Sequence, residues 1–181
     1  MRHLALSALG RDRPGIVAGV TAVLVSHGVN VQDSRMAILR GEFAMVLVLG
    51  APADLERARL EDGLERAREE LGLEALTLAE LSDESGSPAA SGATHIVSVY
   101  GADHPGIVHA VAAALAQRGV NITDLTTRLV DEPGGQALYA MALEVALAGD
   151  DEARELEGAL AEVGRAQGVE VSFRALERDA L

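Results

Sequence analysis

Residues 10–33 read GRDRPGIVAGVTAVLVSHGVNVQD, and residues 101–124 read GADHPGIVHAVAAALAQRGVNITD. The two stretches are offset by 91 positions without a gap, and 13 of their 24 positions are identical. After a five-residue shift the match resumes, with Phe43-Ala44-Met45 aligned to Tyr139-Ala140-Met141. Self-similarity at a fixed offset marks a repeated structural unit. The chain of 181 residues therefore reads as two copies of one unit, residues 1–81 and 95–181. Residues 82–94, rich in Ser, Gly, Pro and Ala, read as a flexible linker.

Working outward from the repeat, each unit parses into six elements. Short apolar runs at Leu4–Leu9 and His95–Tyr100 end at glycine and predict strands. Pro14 and Pro105 follow, each suited to the first turn of a helix. Ile16, Val20, Val23 and Leu24 then recur at helical spacing, as do Ile107, Val111, Ala114 and Leu115. Gly28 and Gly119 stop those helices. Second strands begin at Val29 and Val120, and turns follow at Arg40-Gly41 and at residues 131–135. Third strands are expected at Phe43–Leu49 and Leu138–Leu147, second helices near Leu55–Leu71 and Asp151–Gly168, and last strands at Leu73–Leu81 and Val169–Leu176. The order βαββαβ is that of a ferredoxin-like α+β sandwich, an antiparallel four-stranded sheet with two helices on one face. A unit this small buries only about 60–65% of its unfolded surface, so a second copy is well placed to cover an edge or face.

Composition removes several function classes. With 15 Lys+Arg against 28 Asp+Glu the net charge is −13, which repels phosphate and speaks against a direct grip on nucleic acid. Four aromatic residues cannot furnish base-stacking platforms as well as a core. Zero cysteines exclude disulfides and thiolate chemistry. The early charges Arg11-Asp12-Arg13 do not fit a signal peptide, and no apolar run reaches the length of a membrane span. A cytoplasmic protein is the expectation. No nucleophile elbow, phosphate loop or HExxH motif is present, so neither an enzyme, a cofactor nor a metal site is expected.

The repeated turn carries the chemistry. Gly10 and Gly101 are read as allowing unusual dihedrals and a close ligand approach. The following helices present free amides at Gly15, Ile16 and Val17, and at Gly106, Ile107 and Val108. Such amides, together with the helix dipole, favour an anion as small as an α-carboxylate. Asp12 and Asp103 could accept hydrogen bonds from an α-ammonium. Asn30 and Asn121, expected on a strand beside the first, could both donate and accept. The set suits a zwitterionic amino acid. A plainer reading stands beside it: Asp12 favours the helix N-terminus, and Asn30 bonds the turn left by Gly28.

Gly10-x-Asp12-Arg13-Pro14-Gly15-Ile16-Val17 followed by Gly28-Val29-Asn30-Val31 resembles the ACT domain, a small amino-acid-binding regulatory module. The second copy carries Gly101-x-Asp103-His104-Pro105-Gly106-Ile107-Val108 and Gly119-Val120-Asn121-Ile122. The tandem is similar to that of the glycine-cleavage repressors, through Ala8-Leu9, Asp33-Ser34-Arg35-Met36-Ala37 and Glu42-Phe43 as well. The resemblance implies ACT units paired into a continuous sheet, with an effector near the first loop at their interface. It implies a small amino acid, glycine or serine-like, as effector. It further implies transcriptional regulation through a protein partner such as an activator, with no direct nucleic-acid contact and a homodimer within reach. Where position 13 is Arg, position 104 is His, and the second unit has the longer hairpin.

Among the remaining signals, His104 reads as a solvated loop histidine or as a pH-responsive neighbour of the anion site. Met36, Met45 and Met141 read as core. The alternating charges of residues 56–70 read as a solvated helix face.

Overall fold

The computed structural model describes residues 1–81, 92–130 and 137–176. The hairpin at residues 131–135 and most of the expected linker lie outside the described residues. The chain divides into two compact units, Met1–Ser85 and Gly86–Leu181.

The first unit runs β1 (Arg2–Arg11), α1 (Ile16–Ser26), β2 (Asn30–Leu39), β3 (Glu42–Ala51), α2 (Arg57–Leu71) and β4 (Leu73–Glu80). Its sheet has the order β2-β3-β1-β4, antiparallel at every pairing. The second unit repeats this as β5 (His95–Ala102), α3 (Ile107–Ala116), β6 (Asn121–Val130), β7 (Leu138–Ala146), α4 (Asp150–Gln167) and β8 (Val169–Ala175), with the order β6-β7-β5-β8. The α+β sandwich expected from periodicity is the observed architecture in both units.

Alternation along the strands decides which sheet face each helix pair covers. Leu4, Leu6 and Ala8 of β1 and Phe43, Met45, Leu47 and Leu49 of β3 are buried on one face. They meet Ile16, Val20 and Leu24 of α1 and Leu60 and Leu64 of α2 in one cluster. Leu9 and Val46, of opposite parity, stay about half exposed on the other face. The second core repeats the scheme with Val97, Val99, Met141, Leu143, Ile107, Val111, Leu156 and Leu160. Met36, expected in the core, is instead half exposed, because β2 is an edge strand and lies at the rim of the helix layer.

Two local readings need correction. Pro14 is not in the first helical turn: α1 starts at Ile16, and Gly15, in the left-handed region at φ 98, is its N-cap. Gly106, at φ 107, plays the same part for α3. Both positions demand glycine's conformational freedom. Gly10, by contrast, lies inside β1. A Cβ there would come within 3.0 Å of the Leu73 Cα, and one at Gly101 within 2.8 Å of the Val169 Cγ1. These glycines permit close packing of β1 on β4 and of β5 on β8.

Candidate functional site

The loop between β1 and α1 is built from the strand end upward. β1 closes at Arg11, and the Asp12 amide donates to the Gly41 carbonyl at 2.8 Å, which ties the loop to the β2–β3 turn. Asp103 makes the equivalent bond to the Ala137 carbonyl at 3.4 Å. The chain then passes an exposed proline and reverses at the left-handed glycine.

The first bonded amide of α1 is that of Gly19, which reaches the Gly15 carbonyl at 2.8 Å; in α3 it is that of Ala110, on Gly106 at 2.9 Å. Among the described residues, the amides of Ile16, Val17 and Ala18 ahead of it have no protein acceptor, and the glycine N-cap supplies no side chain. Ile107 and Val108 stand likewise in α3. A helix of this length without a capping side chain leaves its positive end open to an anion. The carboxylates of Asp12 and Asp103 are exposed and do not accept from these amides. Gly10, Asp12, Gly15, Ile16 and Val17 thus share one end of the first unit, and Gly101, Asp103, Gly106, Ile107 and Val108 one end of the second.

Asn30 and Asn121 do not join them. β3 intervenes between β1 and β2, so the expected adjacency of those two strands does not occur. Gly10 pairs with Phe43 and Asn30 with Gly50, seven residues further along β3. At about 3.4 Å per residue this places Asn30 about 24 Å from the glycine. Asn121, opposite Ala146, and Gly101, opposite Tyr139, are separated by the same seven residues of β7. A βαβ crossover returns the chain to the end of the sheet where the first strand began. The first residue of β2 must therefore lie far from the loop that follows β1.

Each asparagine is paired in its edge strand, and a β-bulge follows it, between Val31 and Asp33 and between Ile122 and Asp124. Beside the first bulge, His3 Nδ1 lies 3.0 Å from Gln32 Oε1. A shallow depression of about 400 Å³ lies over this part of the sheet, lined by Asp33, Ser34, Arg35, Val46 and Val48.

Position 13/104, which differs between the copies, shows its role only in three dimensions. Arg13 Nη2 donates to the Glu70 carbonyl at 2.7 Å. His104 Nε2 lies 2.7 Å from the Gln167 carbonyl, and its Nδ1 lies 3.2 Å from the Pro105 carbonyl. Those two carbonyls, helped by the charge of Asp103, hold the imidazole pKa above its ordinary value. Tyr139, on the strand beside this loop, is raised chiefly by burial, and Asp103 adds to the effect. Composition and spacing carried no signal for the bonds to Glu70 and Gln167, since those acceptors are main-chain atoms more than 50 residues away.

Among the described residues, no cluster of three or more His, Cys, Asp or Glu could hold a metal ion. No helix among them is long and apolar enough to cross a membrane.

Residues 2–76 match the ACT-domain family model ACT_6, and residues 95–157 match the ACT domain model. A UPF0237 protein of Methanopyrus kandleri is 39% identical over 77 residues, which cover 42% of this chain and 86% of that protein. The glycine cleavage system transcriptional repressor of Escherichia coli is 47% identical over 47 residues, 26% of this chain and 25% of the repressor. A crystal structure of an unknown protein from Galdieria sulphuraria matches with TM-score 0.80 and 30% identity over 97% of this chain and 99% of its own. Another, provisionally described as a glycine cleavage system transcriptional repressor, matches with TM-score 0.72 and 23% identity over 98% of each chain, a likeness of fold. With a family model matched in each half, over two units of one topology, the chain belongs to the ACT-domain family and carries two such domains in tandem.

Proposed function

We infer that the protein is an amino-acid-responsive regulator of the glycine-cleavage-repressor kind, cytoplasmic and without catalytic activity of its own. Its effector is a small amino acid, glycine or serine-like, and it acts through a protein partner such as a transcription activator rather than on DNA. One observation carries this reading: in both units a left-handed glycine opens a helix whose leading amides are uncapped, beside an exposed carboxylate. The amides suit an α-carboxylate and the aspartate an α-ammonium.

Because Asn30 stands about 24 Å from the loop of its own unit, one ligand cannot touch both within that unit. A loop and an asparagine can share an effector only if two ACT units supply them. β2 and β6 are each the terminal strand of their sheet, a position from which a strand can pair with another ACT unit. Charge-assisted hydrogen bonds of roughly 1.5–3 kcal/mol each must offset an association cost of about 4–15 kcal/mol. Binding is then about micromolar to millimolar, the range of a metabolite sensor. Calorimetry against the twenty amino acids tests the reading, with heat expected for glycine or serine. No heat with any of them refutes effector binding.

A second reading, an ACT scaffold that binds a protein without any ligand, is favoured by the exposed apolar residues on the same edges. Met36, Ile38 and Leu39 on β2, and Leu125, Leu129 and Val130 on β6, are each 45–67% exposed. Here calorimetry is silent, and Asn30→Ala with Asn121→Ala leaves partner binding unchanged.

A further inference from the structure

The shared motif has Arg at position 13 and His at position 104, and both side chains reach the last turn of the second helix of their unit. α2 ends at Leu71 and α4 at Gln167. Arg13 reaches the Glu70 carbonyl at 2.7 Å, and His104 the Gln167 carbonyl at 2.7 Å. Carbonyls in a last helical turn lack an intrahelical donor and carry the negative end of the dipole, so a cation there is favoured. The bond spans 57 residues in one unit and 63 in the other. It fastens the β1–α1 or β5–α3 loop to the far end of the second helix.

Arginine stays charged at every ordinary pH. Histidine does not, and the geometry here distinguishes its two states. Both ring nitrogens of His104 face main-chain carbonyls, Gln167 at 2.7 Å and Pro105 at 3.2 Å. A carbonyl only accepts. A neutral imidazole has one N–H and satisfies one of them, whereas an imidazolium satisfies both.

We propose that Arg13 and His104 are equivalent positioning residues that strap each unit's first loop to its second helix, and that histidine makes the strap of the second unit alone weaken on deprotonation, when one of its two carbonyls loses its donor. The surrounding charges are consistent with this. Asp103 in the same loop favours the imidazolium. The last turn of α4 carries Arg165. From β7, Tyr139 faces Asp103 as a neutral phenol whose own ionisation is pushed up. On the side of α4 the strap closes over Gly106, where a Cβ would meet Gln167 Oε1 at 3.7 Å. Insofar as the loop amides bind an effector, the device deepens the proposed function: the second unit would sense protons as well as ligand, and the first would sense ligand alone.

The test uses the full chain, labelled for amide NMR and titrated without ligand. The His104 ring should titrate above the ordinary histidine range, and the amides of Asp103, Gly106 and Ile107 should shift with the same midpoint. Those of Asp12, Gly15 and Ile16 should not move with it. His104→Arg should abolish the shift in the second loop, and Arg13→His should create one in the first. If Arg13→His does not fold, the wild type and His104→Arg decide. The proposal is overturned if the second loop stays flat while His104 titrates, or if its shift persists in His104→Arg. Because no amino acid is added, failure of the strap is distinct from failure of effector binding, which only calorimetry reads.

Discussion

Asn30 and Gly10 stand at opposite ends of one sheet, their partners Gly50 and Phe43 seven positions apart along β3. Their shared presence in the repeated motif does not make them neighbours. Asp12, by contrast, sits at the loop end, its amide tied to Gly41 at 2.8 Å. Within one unit, a single small ligand cannot reach both residues.

This arrangement gives a first prediction. Asp12→Ala and Asn30→Ala should each weaken amino-acid binding about tenfold or more, the loss of one charge-assisted bond of about 1.5–3 kcal/mol. Calorimetry on the two variants checks it. An unchanged affinity in Asn30→Ala, with binding lost in Asp12→Ala, would assign Asn30 to the turn alone.

A second prediction separates the two glycines of the loop. Gly15 has open space around its missing Cβ but holds φ 98. Gly15→Ala should therefore lower stability by about 1–2 kcal/mol, from strain alone. Gly10→Ala would drive a methyl against the Leu73 backbone at 3.0 Å and should cost about 1–3 kcal/mol through displacement of β4. Denaturant melts give the totals. Amide shifts confined to the loop in the first variant, and spread along β4 in the second, distinguish the causes.

The cores give a third. Leu6 and Leu143 are fully buried in separate clusters. Leu6→Ala and Leu143→Ala should each cost about 2–5 kcal/mol in chemical denaturation. Met36→Thr, on the exposed rim of β2, should stay within about 0.5 kcal/mol of the parent.

The pH dependence follows from His104. The folded chain holds its proton more tightly than the unfolded chain, because two carbonyls and Asp103 favour the imidazolium. The stability contribution is then complete below the ordinary histidine value and is lost as pH rises through the raised folded value. Circular dichroism melts across that window should show the wild type losing stability relative to His104→Arg. A constant difference would place the proton elsewhere.

Much of the architecture was legible from residues alone. Period-2 and helical patterns, with glycine at the helix ends, predicted all twelve elements, most of them to within about two residues. These are local signals, set by which side chains must turn inward and where the chain must reverse. The amides of Ile16 and Val17 were equally legible, since any helix leaves its first donors unbonded. The distance to Asn30 was legible only through topology, because a crossover helix makes β1 and β2 parallel and sends the start of β2 to the far end.

By itself, then, the amino-acid sequence determined the duplication, the βαββαβ order and the inward faces of the strands, because each depends on neighbours along the chain. Tertiary structure alone decided that β3 lies between β1 and β2, that Gly10 is pressed against Leu73 while Gly15 carries the unusual dihedral, and that Arg13 and His104 meet helix ends more than 50 residues away. Those are contacts between segments remote in the chain, and main-chain carbonyls, which every residue carries, leave no mark in the order of side chains.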